Sequence, residues 1–147
     1  MRKGFTLLEL LVVIAIIGVL SSLFVSNYME IRKKSRDAKR MADLREIQKA
    51  LELYRQDQDP SSYPDVLPNP CSAWEPYINS MPGDPLGNCE NPISYSYLLQ
   101  DTGDYILVAC LESITNGENV VSCADVGIDC AAIIGNNSNG KCYVLKP

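Results

Sequence analysis

Residues 5–25 constrain this chain more than any other stretch. They form a mostly apolar run with a single charge, Glu9. As a helix rising about 1.5 Å per residue, such a run covers roughly 30 Å, the thickness of a bilayer core. Arg2 and Lys3 stand in front of it. A carboxylate at the centre of a membrane helix costs about 2.5 to 3.5 kcal/mol on insertion scales, and less near the interface. Glu9 therefore needs a partner or an interfacial position. A conventional secretory signal would carry an apolar core of about 7–15 residues and then small residues at a cleavage site. This run is longer, Glu9 interrupts it early and no Ala-x-Ala follows. An ordinary uncleaved anchor accommodates the apolar run but gives Gly4-Phe5-Thr6 before Glu9 no role.

Nothing after Val25 stops the helix. Tyr28, Ile31, Ala38, Met41, Leu44, Ile47, Leu51 and Tyr54 follow at steps that are mostly three or four. That spacing predicts an amphipathic continuation. Pro60, in Asp57-Gln58-Asp59-Pro60, ends it. One helix over about 5–56 results, roughly 75 Å long. Residues 57–92 hold eight of the nine prolines and read as loop. Ile93-Ser94-Tyr95-Ser96-Tyr97-Leu98-Leu99 alternates like a strand, Asp101-Thr102-Gly103 signals a hairpin, and residues 104–111 form the return strand. Residues 117–140 are rich in Gly, Asn, Asp and Ser and read mostly as loop, with a short strand at Val120-Val121. Residues 141–146 read as the last strand. The resulting sheet of three or four antiparallel strands has an apolar face, and the helix face at 38–54 is the only element long enough to cover it. The fold class is α+β.

Charge is unevenly placed. Residues 57–147 hold 12 acids against two basic residues, Lys141 and Lys146, whereas residues 28–56 hold nine basic residues and five acids. An acidic head argues against nucleic-acid binding by electrostatics alone. There is no histidine, which removes imidazole catalysis and imidazole metal ligation. No glycine-rich phosphate loop is present either. The basic run Arg32, Lys33, Lys34, Arg36, Lys39 and Arg40 reads first as a solvated face. Attraction to anionic headgroups, and pairing with acidic heads or with Glu30, Asp37 and Asp43 of neighbouring subunits, are the other readings. All six cysteines, Cys71, Cys89, Cys110, Cys123, Cys130 and Cys142, lie beyond residue 70. An even number on a short exported domain predicts disulfides, and Cys71 with Cys89 would close the proline-rich loop. The short Cys-x-x-Cys spacing common to zinc sites is missing.

Arg2-Lys3-Gly4 before Phe5-Thr6-Leu7-Leu8-Glu9-Leu10 resembles the leader of type IV pilins and type II secretion pseudopilins. The resemblance is close over residues 1 to about 56 and looser beyond. It implies that a prepilin peptidase cuts after Gly4 and that the new amino terminus, Phe5, is methylated. It further implies a pilin-like roll, with the C-terminal half of the long helix packed on the antiparallel sheet. Residues 1–4 would be the leader, 5–27 the half of the helix that lies in membrane or filament core, 28–56 its amphipathic half, and 57–147 the disulfide-stapled head. Many members of the family carry proline where this chain has Ser26, so melting of the helix around Gly18 to Ser26 on assembly is an open expectation. Met81-Pro82-Gly83-Asp84-Pro85 resembles, more weakly, a proline-aspartate-proline stretch before the first strand of pseudopilin G. In pseudopilin G a late loop holds Ca²⁺. Here Asp125 and Asp129, with Asn136, Asn137, Ser138 and Asn139, form a weak candidate whose spacing is not that of an EF-hand. A turn-rich loop is the plainer reading.

The functional expectation is a structural filament subunit, not an enzyme. It assembles through Phe5 and Glu9, the carboxylate pairing with the amine that cleavage after Gly4 creates in a neighbouring copy. Its partners would be other copies of itself, the peptidase, an inner-membrane assembly platform and, before assembly, membrane lipid. The head would lie outside the cytoplasmic membrane, although the positive-inside rule applied to the basic run argues the opposite. Two alternatives stand beside a type IV pilin. One is the major pseudopilin of a type II secretion system, and the other is a minor pilin at a filament tip whose head is a ligand-binding adhesin. An anchored redox or metal protein would require free thiols.

Overall fold

A computed structural model describes residues 5–113 and 117–147, with the side chains of residues 23–27 and 137 outside the description. The expected leader, 1–4, lies outside the described residues. Helix α1 spans Leu7–Asp57. It is followed by strands β1 (Ser96–Leu99), β2 (Tyr105–Cys110) and β3 (Val120–Ser122), a 3₁₀ turn at Cys123–Val126, helix α2 (Cys130–Ile134), a second 3₁₀ turn at Gly135–Asn137, and strand β4 (Lys141–Leu145). The chain divides into two compact units, Met1–Lys33 and Lys34–Pro147.

In the first unit, every described side chain from residue 5 to residue 22 is exposed. Phe5 and Leu7 show 81% and 82% of their surface. Within this unit no described side chain covers that apolar surface. Among the described residues, no helix is long and apolar enough to cross a membrane. The expected span runs on into residues 23–27, whose side chains are not described.

The second unit is the α+β roll. Its sheet is antiparallel throughout, in the order β1-β2-β4-β3. Alternation along β2 sends Tyr105, Leu107 and Ala109 to the front, where Leu44, Ile47, Ala50 and Leu51 of α1 meet them. Leu44 and Leu51 are wholly buried, and each such side chain contributes about 1.5–3 kcal/mol by burial. Tyr63 closes one end of this core, edge-on to Tyr105 with ring centroids 4.6 Å apart. Tyr54, Trp74 and Tyr77 form a second aromatic group, with centroids 5.3–5.4 Å apart, that ties the proline-rich loop to α1.

The sheet is covered on its rear face as well. Val108, Cys110, Cys142 and Val144 pack there against Cys123, Cys130 and Ile134. Residues 117–140, expected to be mostly loop with a short strand at Val120-Val121, hold that strand as β3 at the sheet edge, and beyond it two 3₁₀ turns and a short helix, of which the first turn and the helix form this rear layer. Each element is too short to give a readable period. The first strand is also shorter than expected and begins at Ser96, not residue 93. The Ile93 carbonyl accepts from Asp84 N–H, and Tyr95 turns inward to Asp43, so residues 93–95 are held by the loop and the helix. Ala38, placed on the packed face by spacing, is exposed, and the buried stripe runs instead through Asp37, Arg40, Leu44, Ile47 and Leu51.

Three disulfides hold the loops, Cys71–Cys89, Cys110–Cys130 and Cys123–Cys142, at sequence separations of 18, 20 and 19. In the chain-entropy account, loops of this length are worth about 3 kcal/mol each.

Candidate functional site

The first site is the start of α1. Thr6 precedes the first helical residue, and Glu9 is the third residue of the helix. Thr6 Oγ1 accepts from the Glu9 N–H at 3.2 Å, and Glu9 Oε2 accepts from the Thr6 N–H at 2.8 Å and from the Thr6 hydroxyl at 2.8 Å. This is a capping box, which satisfies two amides that a helix start otherwise leaves without partners. The pattern Thr-x-x-Glu before an apolar run is legible in the sequence, and reading Glu9 as an unpartnered charge overlooks it. Phe5 is exposed beside the box, and Gly4 lies outside the described residues.

The second site lies in the head, and the sequence reading missed it. Asp37 and Arg40, from the supposedly solvated basic run, are 1% and 0% exposed. Arg40 grips Asp84 with two bonds, Nε to Oδ2 at 2.6 Å and Nη2 to Oδ1 at 2.9 Å. Its Nη1 donates to Asp37 Oδ1 at 2.6 Å and lies 2.8 Å from Glu112 Oε1. Arg36 completes the group with a second two-bond grip, on Glu112, at 2.7 and 2.5 Å. Asp37 also accepts from the Glu112 N–H, the Ser113 N–H and the Ser113 hydroxyl. Five charged side chains thus tie α1 to the loop at Asp84 and to the end of β2. Burial alone would raise the Glu112 carboxyl, but hydrogen bonds from Arg36 and Arg40 outweigh it and hold the group below the ordinary glutamate value. The Arg40 guanidinium is desolvated, yet its bonds to Asp84, Glu112 and Asp37 hold its pKa above the usual arginine value.

Local sequence shapes the Asp84 turn. A Cβ on Gly83 would lie 2.8 Å from Pro70 Cβ, and one on Gly87 would lie 2.7 Å from the Ile93 backbone nitrogen. Only glycine fits so close an approach. Next to this turn the Tyr95 hydroxyl donates to Asp43 Oδ2 at 2.7 Å. Burial raises the Asp43 carboxyl, against the effect of this bond. Tyr95→Phe leaves that carboxylate short of a donor, and a loss of about 1–3 kcal/mol in head stability is expected in urea unfolding.

The third arrangement is sulfur. Cys110, Cys123, Cys130 and Cys142 bring their four sulfurs within 4.8 Å of one another, paired as two adjacent disulfides. The candidate calcium ligands Asp129, Ser138 and Asn139 bond instead to nearby backbone groups. Asp129 Oδ1 accepts from the Ala131 and Ala132 N–H groups as the N-cap of α2. Ser138 Oγ accepts from the Gly140 N–H, and Asn139 binds the backbone at both ends of its amide, at Lys141 N–H and the Ser113 carbonyl. Asp125 is exposed on the first 3₁₀ turn. Among the described residues, no group of three or more Cys, Asp or Glu ligands includes Asp125 or Asp129. Asp129, Ser138 and Asn139 are thus engaged with the backbone of turns and helix α2.

The described features are an apolar helix opened by a capping box and a small disulfide-bonded α+β domain. The family model described as a prokaryotic N-terminal methylation motif matches residues 1–25. The type II secretion system core protein G of Escherichia coli K12 is 34% identical over 131 residues, 80% of this chain and 84% of that protein. The core protein G of Aeromonas hydrophila is 40% identical over 101 residues, 59% of this chain and 69% of that protein. The type IV wide pilus major component PilA4 of Thermus thermophilus is 42% identical over 57 residues, 39% of this chain and 44% of that protein. No solved structure gives a significant match. The chain belongs to the type IV pilin and type II secretion pseudopilin family, and it is a pilin-like structural subunit.

Proposed function

We propose that this chain is cut between Gly4 and Phe5 by a prepilin peptidase and then polymerises through α1 into a type IV pilus-like filament. The observation that carries the reading is an apolar helical surface, residues 5–22, every described side chain of which is exposed, with Glu9 held at its start by Thr6. A waterless setting of lipid or neighbouring helices would cover that surface. Residues 5–27 would lie in the cytoplasmic membrane, with the head outside, until an inner-membrane platform draws the subunit into the filament core. Residues 28–56 and the head, 57–147, would then form its outer layers. In the core, Glu9 pairs with the Phe5 amine of a neighbouring copy, which removes most of the cost of burying either charge alone.

A second reading has its own support. The similarity to core protein G extends over most of the head and favours a secretion pseudopilus as the filament in question. A ligand-binding minor pilin would need a binding site on the head. The processing step is tested by intact mass measurement of the chain from a host that contains the peptidase. The expected chain lacks residues 1–4 and carries one added methyl group on Phe5. A chain that retains Met1 would count against the proposal.

A further inference from the structure

We propose that the thiol form of this head holds one zinc-class divalent ion on Cys110, Cys123, Cys130 and Cys142, before the two disulfides close. The four residues come from four separate elements: the end of β2, the 3₁₀ turn after β3, the first residue of α2, and β4. Their sulfurs nevertheless converge within 4.8 Å, and the four residues are between 0% and 4% exposed. The two disulfides are not separate staples. The Cys130 sulfur lies 2.8 Å from that of Cys123 and 3.1 Å from that of Cys142, neither of which is its bonded partner.

Such a cluster is close to the shape that a tetrathiolate ion requires. A zinc–sulfur bond of about 2.3 Å in a tetrahedron sets the sulfurs about 3.8 Å apart. The sheet sets Cys110 opposite Cys142, and all four sulfurs already lie within 4.8 Å of one another, which brackets that spacing. Thiolate ligands favour a soft or borderline ion over calcium or magnesium. The buried side chains of Val108, Ile134 and Val144 pack around the sulfurs. The short Cys-x-x-Cys spacing is missing because the convergence is made by the fold and not by one turn. The ion would organise the rear layer while the thiols are still reduced, since binding and folding of such a site are one equilibrium.

The chemistry balances. Four thiols bind one divalent ion and release four protons. When a disulfide-type oxidant acts, the four thiolates give up four electrons to two oxidant disulfides. Two protein S–S bonds form, four oxidant thiolates are produced and the ion leaves.

The test uses the full chain in detergent, reduced and kept free of oxygen, with Co²⁺ as the probe and Zn²⁺ as competitor. The expected result is the absorption of tetrahedral sulfur-ligated cobalt, saturating at one ion per chain and displaced by zinc. The pattern should persist in the Cys71→Ser, Cys89→Ser double variant. Each single serine replacement at positions 110, 123, 130 and 142 should weaken zinc binding by at least about 100-fold, at the upper end of what outer-shell changes cost. Zinc should also raise the β-sheet signal of the reduced chain in circular dichroism. Three results would overturn the proposal: no tetrathiolate spectrum in the reduced chain, its loss in the Cys71, Cys89 double variant, or equal cobalt binding by the oxidised chain.

Discussion

Arg40→Met is expected to destabilise the head by about 3–5 kcal/mol, the cost of leaving buried charges without their partner. Arg40 is wholly buried and, among the described residues, is the one side chain that touches Asp37, Asp84 and Glu112 together. Its removal leaves Asp84 without its two-bond partner, and leaves Arg36 as the remaining guanidinium on Glu112. For a domain of this size each kcal/mol shifts the melting temperature by about 4–8 °C, so a fall of more than about 12 °C is expected by calorimetry. Lys49→Ala, on an exposed turn of the same helix, should stay within about 0.5 kcal/mol of the parent. Equal melting temperatures for Arg40→Met and Lys49→Ala would refute the assignment. Asp84→Asn keeps an acceptor for Arg40 and should fall between the two.

Glu9→Gln is expected to lower filament yield by about 100-fold while leaving the subunit abundant in the membrane. A buried amine stripped of its partner costs about 3–5 kcal/mol, and each 1.4 kcal/mol is a factor of ten in an equilibrium. Glutamine is chosen because it separates two roles. Its amide oxygen can still accept from Thr6 N–H, so the capping box survives. Only the charge is lost. Thr6→Ala makes the converse change, removing the side-chain cap while leaving the carboxylate, at a cost of about 1 kcal/mol. If Glu9→Gln assembles normally and Thr6→Ala does not, Glu9 is a helix cap and not half of an ion pair.

The long helix was legible because it is long enough to show its period, and the hairpin of β1 and β2 and the last strand because runs of Tyr, Leu, Val and Ile beside the Asp101-Thr102-Gly103 turn signal mark strands even when short. The capping box was legible too, but attention to the membrane cost of Glu9 hid it. The ion cluster was hidden for a different reason. Arg40 hydrogen-bonds Asp84, 44 positions away, and Arg36 bonds Glu112, 76 positions away. No local pattern distinguishes a basic residue at the end of such a reach from one in solvent. The helical period offers the one clue, since Asp37, Arg40 and Leu44 lie on one stripe with Ile47 and Leu51, and a charged residue on that stripe must be paired. The rear layer escaped notice because its 3₁₀ turns and short helix span three to five residues each, less than two helical turns. Four cysteines in and around a glycine-rich stretch were the sign that it was folded.

This chain is expected to repeat along a filament after losing its leader. The direct measurement is mass spectrometry of filaments sheared from intact cells and purified away from membranes. The expected result is this chain as a repeating component, beginning at Phe5 with one added methyl group. Filaments that lack it, with the chain found only in membranes and still beginning at Met1, would contradict the claim.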